Sequence, residues 1–192
     1  MPPAIEIVAC SVFKDALAHL TGRFSGLELK LHYLPANLHL NPMTLKKRLL
    51  DAIRNAKQAG HPVACLYGIC FPGIDSCLEP EGVGRMRCDH CYEAFLGRQR
   101  YHRLIDGCPG SFFVEKELLL NFDDLCRGPL ELDDPEIREL YFANYSQVVY
   151  IRQPQDPDVL GQARSVADLL GLRLTIVDAE YTELIHFLDQ LG

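Results

Sequence analysis

Two hydrophobic periods alternate along the chain, and each switch between them predicts a change of element. Ile5 to Ala9 is an apolar run rich in β-branched residues and predicts a strand. Cys10 follows it, with Ser11 in position to cap a helix whose residues Val12, Phe13, Ala16, Leu17 and Leu20 fall at helical spacing, and Gly22 suits its end. Leu27 to Tyr33 alternates with period two and predicts a half-buried strand. Asn41-Pro42 is a helix start, Leu45, Leu49, Ile53 and Ala56 share one face, and Gly60 ends that helix. Pro62 to Tyr67 predicts a buried strand, closed by Gly68 and the turn-rich Ile69-Cys70-Phe71-Pro72-Gly73.

The same rhythm continues. A helix is expected from Tyr92 toward Ile105, a turn at Cys108-Pro109-Gly110 and a strand over Ser111 to Val114. The acidic stretch from Asp123 to Pro135 looks like a long connection and is the candidate boundary. Beyond it the pattern predicts a helix near Glu136 to Asn144, a strand Gln147 to Ile151, a helix Asp158 to Leu170, a strand Leu172 to Val177 and a helix near Thr182 to Leu191. Repeated strand–helix units imply a mainly parallel sheet with helices on both faces, a Rossmann-like three-layer α/β sandwich. Residues 1–192 read as a single domain, with the last strands extending the first sheet and 123–135 as the place of any subdivision.

Composition narrows the function classes. Apolar residues make up 48% of the 192 and charged residues 23%, which are globular values. The net charge of −7 argues against nucleic-acid binding, which needs a basic face. No apolar run approaches the roughly 18 residues that span a bilayer, so no membrane association is expected. Met1 to Cys10 lacks the basic and long apolar segments of a secretory leader, and the expectation is a cytoplasmic chain with reduced thiols.

In that setting the 8 cysteines point to metal or redox chemistry rather than to disulfides. In parallel α/β sheets the site lies beyond the carboxyl ends of the strands. Cys10 directly follows the first strand, Cys70 sits in the turn after the third, and Cys91 opens a helix, where N–H groups favour a thiolate. Three such loops can bring three sulfurs into one crevice. Cys88 forms a Cys-x-x-Cys pair with Cys91 and is the candidate fourth ligand. Asp89, His90 and Glu93 are the candidate catalytic groups beside these sulfurs. Cys65 reads as core, Cys77 as a more distant neighbour of the crevice, and Cys108 and Cys126 as incidental.

Other signals count for less. There is no phosphate-binding Gly-rich loop, no nucleophile elbow and no dinucleotide fingerprint. Arg98, Arg100 and Arg103, interleaved with Tyr101 and His102, read as a solvated helix face. His32 and His39 read as surface residues flanking a loop near the crevice, and Asp178 as a strand-end residue in a capping role.

Four segments together resemble a known family: Ile7-Val-Ala-Cys10-Ser-Val-Phe-Lys-Asp15, Leu66-Tyr-Gly-Ile-Cys70, Cys91-Tyr-Glu-Ala-Phe-Leu-Gly97 and Pro109-Gly-Ser-Phe-Phe113. The chain resembles the bacterial and archaeal family catalogued as domain of unknown function 1638. In that pattern the matching cysteines are Cys10, Cys70 and Cys91, whereas the Cys88 position varies. The resemblance implies a setting in corrinoid-dependent methyl transfer of anaerobic one-carbon metabolism, with a corrinoid protein or methyltransferase as partner. The leading expectation is a [4Fe–4S] cluster held by three Cys with one iron open. Zinc on the same thiolates is the alternative, and a metal-free accessory protein, including a homo-oligomer, is the third reading. Whether the chain is an enzyme stays open at this point.

Overall fold

The computed structural model describes residues 4–24 and 26–191, which form an α/β fold with parallel sheets. Two compact units result, Met1–Ala94 with Tyr181–Gly192, and Phe95–Glu180. The acidic stretch 123–135 lies inside the second unit.

In the first unit, β1 (Ala4–Cys10) is central, with β2 (Glu28–Leu34) on one side and β3 (Val63–Leu66) on the other, all parallel. β1 is buried along almost its whole length, as a strand covered on both faces must be. β2 is an edge strand, and its alternating polar residues leave it largely half-buried or exposed. The crossovers carry α1 (Lys14–Thr21) and α2 (Pro42–Lys57). α2 starts where the sequence says: the Asn41 side chain accepts from the Thr44 N–H at 2.9 Å, and Pro42 occupies the first turn. The face it buries is Leu45, Leu49, Ile53 and Ala56. After β3 come the short helix α3 (Ile74–Leu78) and then α4 (Cys91–Leu96).

Ser11 departs from its expected role. Cys10 holds the N-cap position of a single tight turn, Ser11–Phe13, and makes no side-chain cap bond. The Ser11 Oγ instead accepts from the Ala36 N–H at 3.0 Å, tying the loop after β1 to the loop after β2.

The helix expected from Tyr92 to Ile105 is broken. Gly97 takes φ 78°, a backbone conformation that L side chains avoid, and separates α4 from α5 (Arg98–Gly107). The second unit continues with β4 (Ser111–Val114), α6 (Lys116–Leu120), α7 (Pro135–Phe142), β5 (Gln147–Arg152), α8 (Leu160–Leu170) and β6 (Arg173–Asp178). The order β4-β5-β6 is again fully parallel, and these strands form a sheet of their own instead of extending the first. The backbone explains the pairing: the Ser146 N–H donates to the Gly110 carbonyl at 2.8 Å, and a Cβ on Gly110 would lie 2.4 Å from the Asn144 carbonyl oxygen. That approach seats the start of β4 beside β5. Val114, Leu119, Leu132, Val148, Tyr150, Ala163 and their neighbours form this unit's core. The chain then returns to the first unit as α9 (Thr182–Asp189), which buries Leu184, Phe187 and Leu188.

Candidate functional site

The strand order β2-β1-β3 reverses direction at β1, so β1 and β3 send their connections different ways, and in such sheets ligands bind outside the carboxyl ends of the strands at that switch. The sheet β4-β5-β6 runs in sequence order and has no such reversal. Cys10 is the last residue of β1, and Tyr67 directly follows β3. Ala9 pairs with Leu66, so one step further along the register Cys10 stands beside Tyr67. Side chains alternate along a strand, and Val8 pairs with Cys65, so Cys10, Cys65 and Tyr67 occupy one face. All three are buried, Cys65 and Tyr67 completely.

Cys70 and Cys91 reach this edge through a backbone contact. The Ile69 N–H donates to the Asp89 carbonyl at 2.8 Å, and the Cys70 N–H to the Gly68 carbonyl at 2.9 Å. A Cβ on Gly68 would lie 2.4 Å from the Asp89 carbonyl oxygen and 3.1 Å from the His90 Cα, so only glycine permits the two loops to touch. Cys91 begins α4 two residues beyond Asp89. Both cysteines are half-buried. Glu93 is buried, and its Oε2 accepts from the Asp89 N–H at 2.8 Å, which fixes the entry to α4. Asp89 and His90 are exposed on this loop. α4 has only six residues, so its dipole is short.

Burial at this edge favours the neutral thiol of Cys70 and of Cys65. Burial pushes the Cys70 thiol up to about 11, against the lowering effect of a hydrogen bond with the Gly68 backbone and of the Arg85 charge. Burial raises Cys65 further. Arg85 is clamped by Asp75, with contacts of 2.6 and 3.1 Å, and donates to the Met86 and Cys88 carbonyls at 2.9 Å each. It therefore holds a fixed positive charge behind Cys70 and anchors the backbone of the buried Cys88. The Tyr67 hydroxyl is buried and meets no partner in full hydrogen-bond geometry. Burial raises its ionisation far above the usual range, and Cys10, Cys65 and Cys70 all act on it.

Among the described residues no three His, Cys, Asp or Glu side chains stand together as a ligating group. The loops carrying Cys10, Cys70 and Cys91 share one edge, but their sulfurs are not gathered around a point. By its chemistry, a donor set of three thiols suits iron or zinc.

The remaining sequence candidates fall elsewhere. Cys77 lies half-buried on α3. Cys108 and Cys126 belong to the second unit: a contact of 3.1 Å to the Ser146 hydroxyl helps lower Cys108, and burial pushes Cys126 up to about 11. His32 pairs with the buried Glu6 on the sheet. His39 stacks over Tyr67, with ring centroids 6.3 Å apart, and its Nδ1 is 2.7 Å from the Ala36 carbonyl. Arg100 bonds the Asp178 carbonyl and Glu180, and Asp178 pairs with Arg152. An open concavity of about 840 Å³ in the second unit, lined by Leu119, Phe122, Asp123, Arg127 and Val166 among others, holds neither thiol nor imidazole. Sequence reasoning overlooked Tyr67, Gly68 and Arg85. The signal for the first two was their position immediately after a central strand that ends beside Cys10.

A family model described as protein of unknown function (DUF1638) matches residues 33–188. No curated protein and no solved structure matches the chain.

Proposed function

The chain belongs to the DUF1638 family, and from the chemistry gathered at the carboxyl edge of its first sheet we propose that it is a metalloprotein whose Cys10, Cys70 and Cys91 hold a [4Fe–4S] cluster. The observation that carries this reading is the Gly68–Asp89 backbone approach, which joins the loop of Cys70 to the loop of Cys91 beside the strand end that bears Cys10. When bound through three thiolates, such a cluster supplies an iron with one open position for a substrate or small ligand. The chain's own residues prepare for it. Cys70 must surrender a proton that burial makes it hold tightly, and the clamped Arg85 offsets the negative charge that results. Glu93 sets the start of α4 and with it the position of Cys91. The setting we propose for it is the one that the sequence resemblance implies: methyl transfer in anaerobic metabolism, in a reducing cytoplasm, with a corrinoid protein or methyltransferase as partner.

Anaerobic purification followed by iron, acid-labile sulfide and zinc analysis tests the reading. A brown protein with iron and sulfide in equal amounts is the expected result. Colourless protein with one zinc assigns the same thiolates to zinc, and protein without metal assigns the chain to the accessory class. Cys10→Ser, Cys70→Ser and Cys91→Ser lose the metal, whereas Cys65→Ala and Cys88→Ser retain most of it. Equal loss in Cys88→Ser and Cys91→Ser means a closed four-sulfur site, and the role then becomes structural or electron-transferring.

A further inference from the structure

Each of the two sheets has two edge strands, and an edge presents a row of unpaired N–H and C=O groups to whatever approaches it. Three of these edges are guarded. β2 carries Glu28, Lys30 and His32 along its length, the last two paired with Glu6. β3 is covered by the segment 84–86, because the Cys65 N–H donates to the Gly84 carbonyl and the Met86 N–H to the Cys65 carbonyl, at 3.0 Å each. β4 is only four residues long. β6 has none of these devices. Its six residues pair with β5 in unbroken register, and Leu174, Thr175, Ile176 and Val177 follow one another without a charge or a proline.

The outward groups of β6 follow from its bonds to β5. The Arg173 N–H donates to the Ser146 carbonyl and the Ala179 N–H to the Arg152 carbonyl, so odd-numbered residues bond to β5. Even-numbered residues therefore point their N–H and C=O away from it. The Asp178 carbonyl accepts from Arg100 at 2.9 Å. Among the described residues the main-chain groups of Leu174 and Ile176 have no partner on that side. The Ile176 side chain is 40% exposed, an apolar group in solvent at an open edge.

We infer that β6 is a self-association edge, to which the β6 of a second copy of this chain adds antiparallel about a two-fold axis through Thr175. In that register Leu174 faces Ile176 of the second copy, and each such pair exchanges both of its N–H···O bonds, which satisfies every free group named above. Leu174 and Ile176 lie on one face of the strand, so the same pairing covers the exposed Ile176 with an apolar neighbour. On the other face Thr175 meets Thr175, and Arg173 meets Val177. The charges agree with this direction. Arg173 begins the strand and Asp178 ends it, so antiparallel addition sets the basic end of each copy beside the acidic end of the other and opposes no like charges. A second copy thus supplies the complement that this edge requires. Arg100, bonded to the Asp178 carbonyl, closes the edge at its carboxyl end.

Sedimentation equilibrium of the full chain under reducing conditions measures mass against concentration. The mass is expected to climb from the 21.7 kDa of one chain toward twice that value. The rise should be centred on the order of 100 μM, since a single strand pair buries less than a standard interface. Ile176→Lys puts a charge on the edge, and Ile176→Pro removes an outward N–H that β5 does not use. Both should keep the mass of one chain and the wild-type circular dichroism. Thr175→Cys tests the register without disrupting the strand. Opposed residues of a non-hydrogen-bonded pair stand about 4.5 Å apart at Cα, within disulfide range. Diamide should therefore link two Thr175→Cys chains and leave wild type treated alike unlinked. A wild-type mass that stays at one chain overturns the inference and leaves the edge to an extended segment of another protein. A dimer that survives both Ile176 variants, or that Thr175→Cys links no better than wild type, also overturns it, by placing the interface elsewhere.

Discussion

Glu115 follows β4 with 2% of its surface exposed, and its carboxylate accepts from the N–H groups of Glu117 and Leu118 at 2.7 and 2.8 Å. Those bonds cap α6, yet burial dominates and pushes the carboxyl up to about 7. The folded state therefore binds a proton that the unfolded chain has already released, and stability falls as pH rises from the ordinary carboxylate range to about 7. The effect amounts to no more than about 3 kcal/mol, at 1.36 kcal/mol per pH unit. Glu115→Gln is expected to gain stability relative to wild type across that window, measured by denaturant unfolding at successive pH values; a constant difference would refute the assignment. Glu6 has the opposite sign. The hydrogen bond with His32 holds its carboxyl below the usual value, so its contribution is present above the ordinary carboxylate pKa and is lost as pH falls through the lowered one. Glu6→Gln should accordingly cost stability at neutral pH and little in strong acid.

At the scale of elements, two glycines make the same kind of contact in different units. Gly68 and Gly110 each have a carbonyl oxygen 2.4 Å from where a Cβ would be, Asp89 in one case and Asn144 in the other. Backbone cannot yield as a flexible side chain can, so Gly68→Ala and Gly110→Ala should each cost on the order of 1–3 kcal/mol. Their consequences differ. Gly68→Ala separates the loops of Cys70 and Cys91 and should lower metal content, whereas Gly110→Ala disturbs the β4–β5 pairing and should leave metal content intact. Metal per chain in the two variants, at matched stability loss, decides this; equal metal in both would remove the contact that supports the proposed site.

For the whole molecule, the first unit is completed only after the second has been traversed, because α9 returns to it from residue 182 onward. Leu184 is fully buried there, and Leu184→Ala should destabilise by about 2–5 kcal/mol. Unfolding curves measure the loss, and a cost below about 1 kcal/mol would mean that the site collapses around the smaller side chain. Metal loading provides a second test. Amide exchange should slow in residues 67–70 and 88–91 and stay unchanged in β4, β5 and β6, because closing thiolates on a metal orders the loops that carry them. Equal slowing in both sheets would contradict a site confined to the first unit.

Local pattern alone determined much of this protein. The face Leu45, Leu49, Ile53 and Ala56, the Asn41 cap, all six strands and the position of Cys10 at a strand end follow from periods and terminal signals. These are consequences of which side of an element faces the core, and neighbouring residues encode that. Gly97 was visible as a glycine but not as a break, since helical spacing continues across it and only its φ of 78° ends α4. Tertiary structure decided the rest. Whether β4 joins the first sheet or starts another leaves its own sequence pattern unchanged, and the choice lies in the approach of Gly110 to residues 144–146. Ser11 looked like a cap because caps are local, but its hydroxyl is taken by Ala36, 25 residues away. Gly68 against Asp89, and Tyr67 beside Cys10, are likewise meetings of segments distant in sequence. No period records such meetings, because they depend on how strands are ordered and not on how any one of them is built.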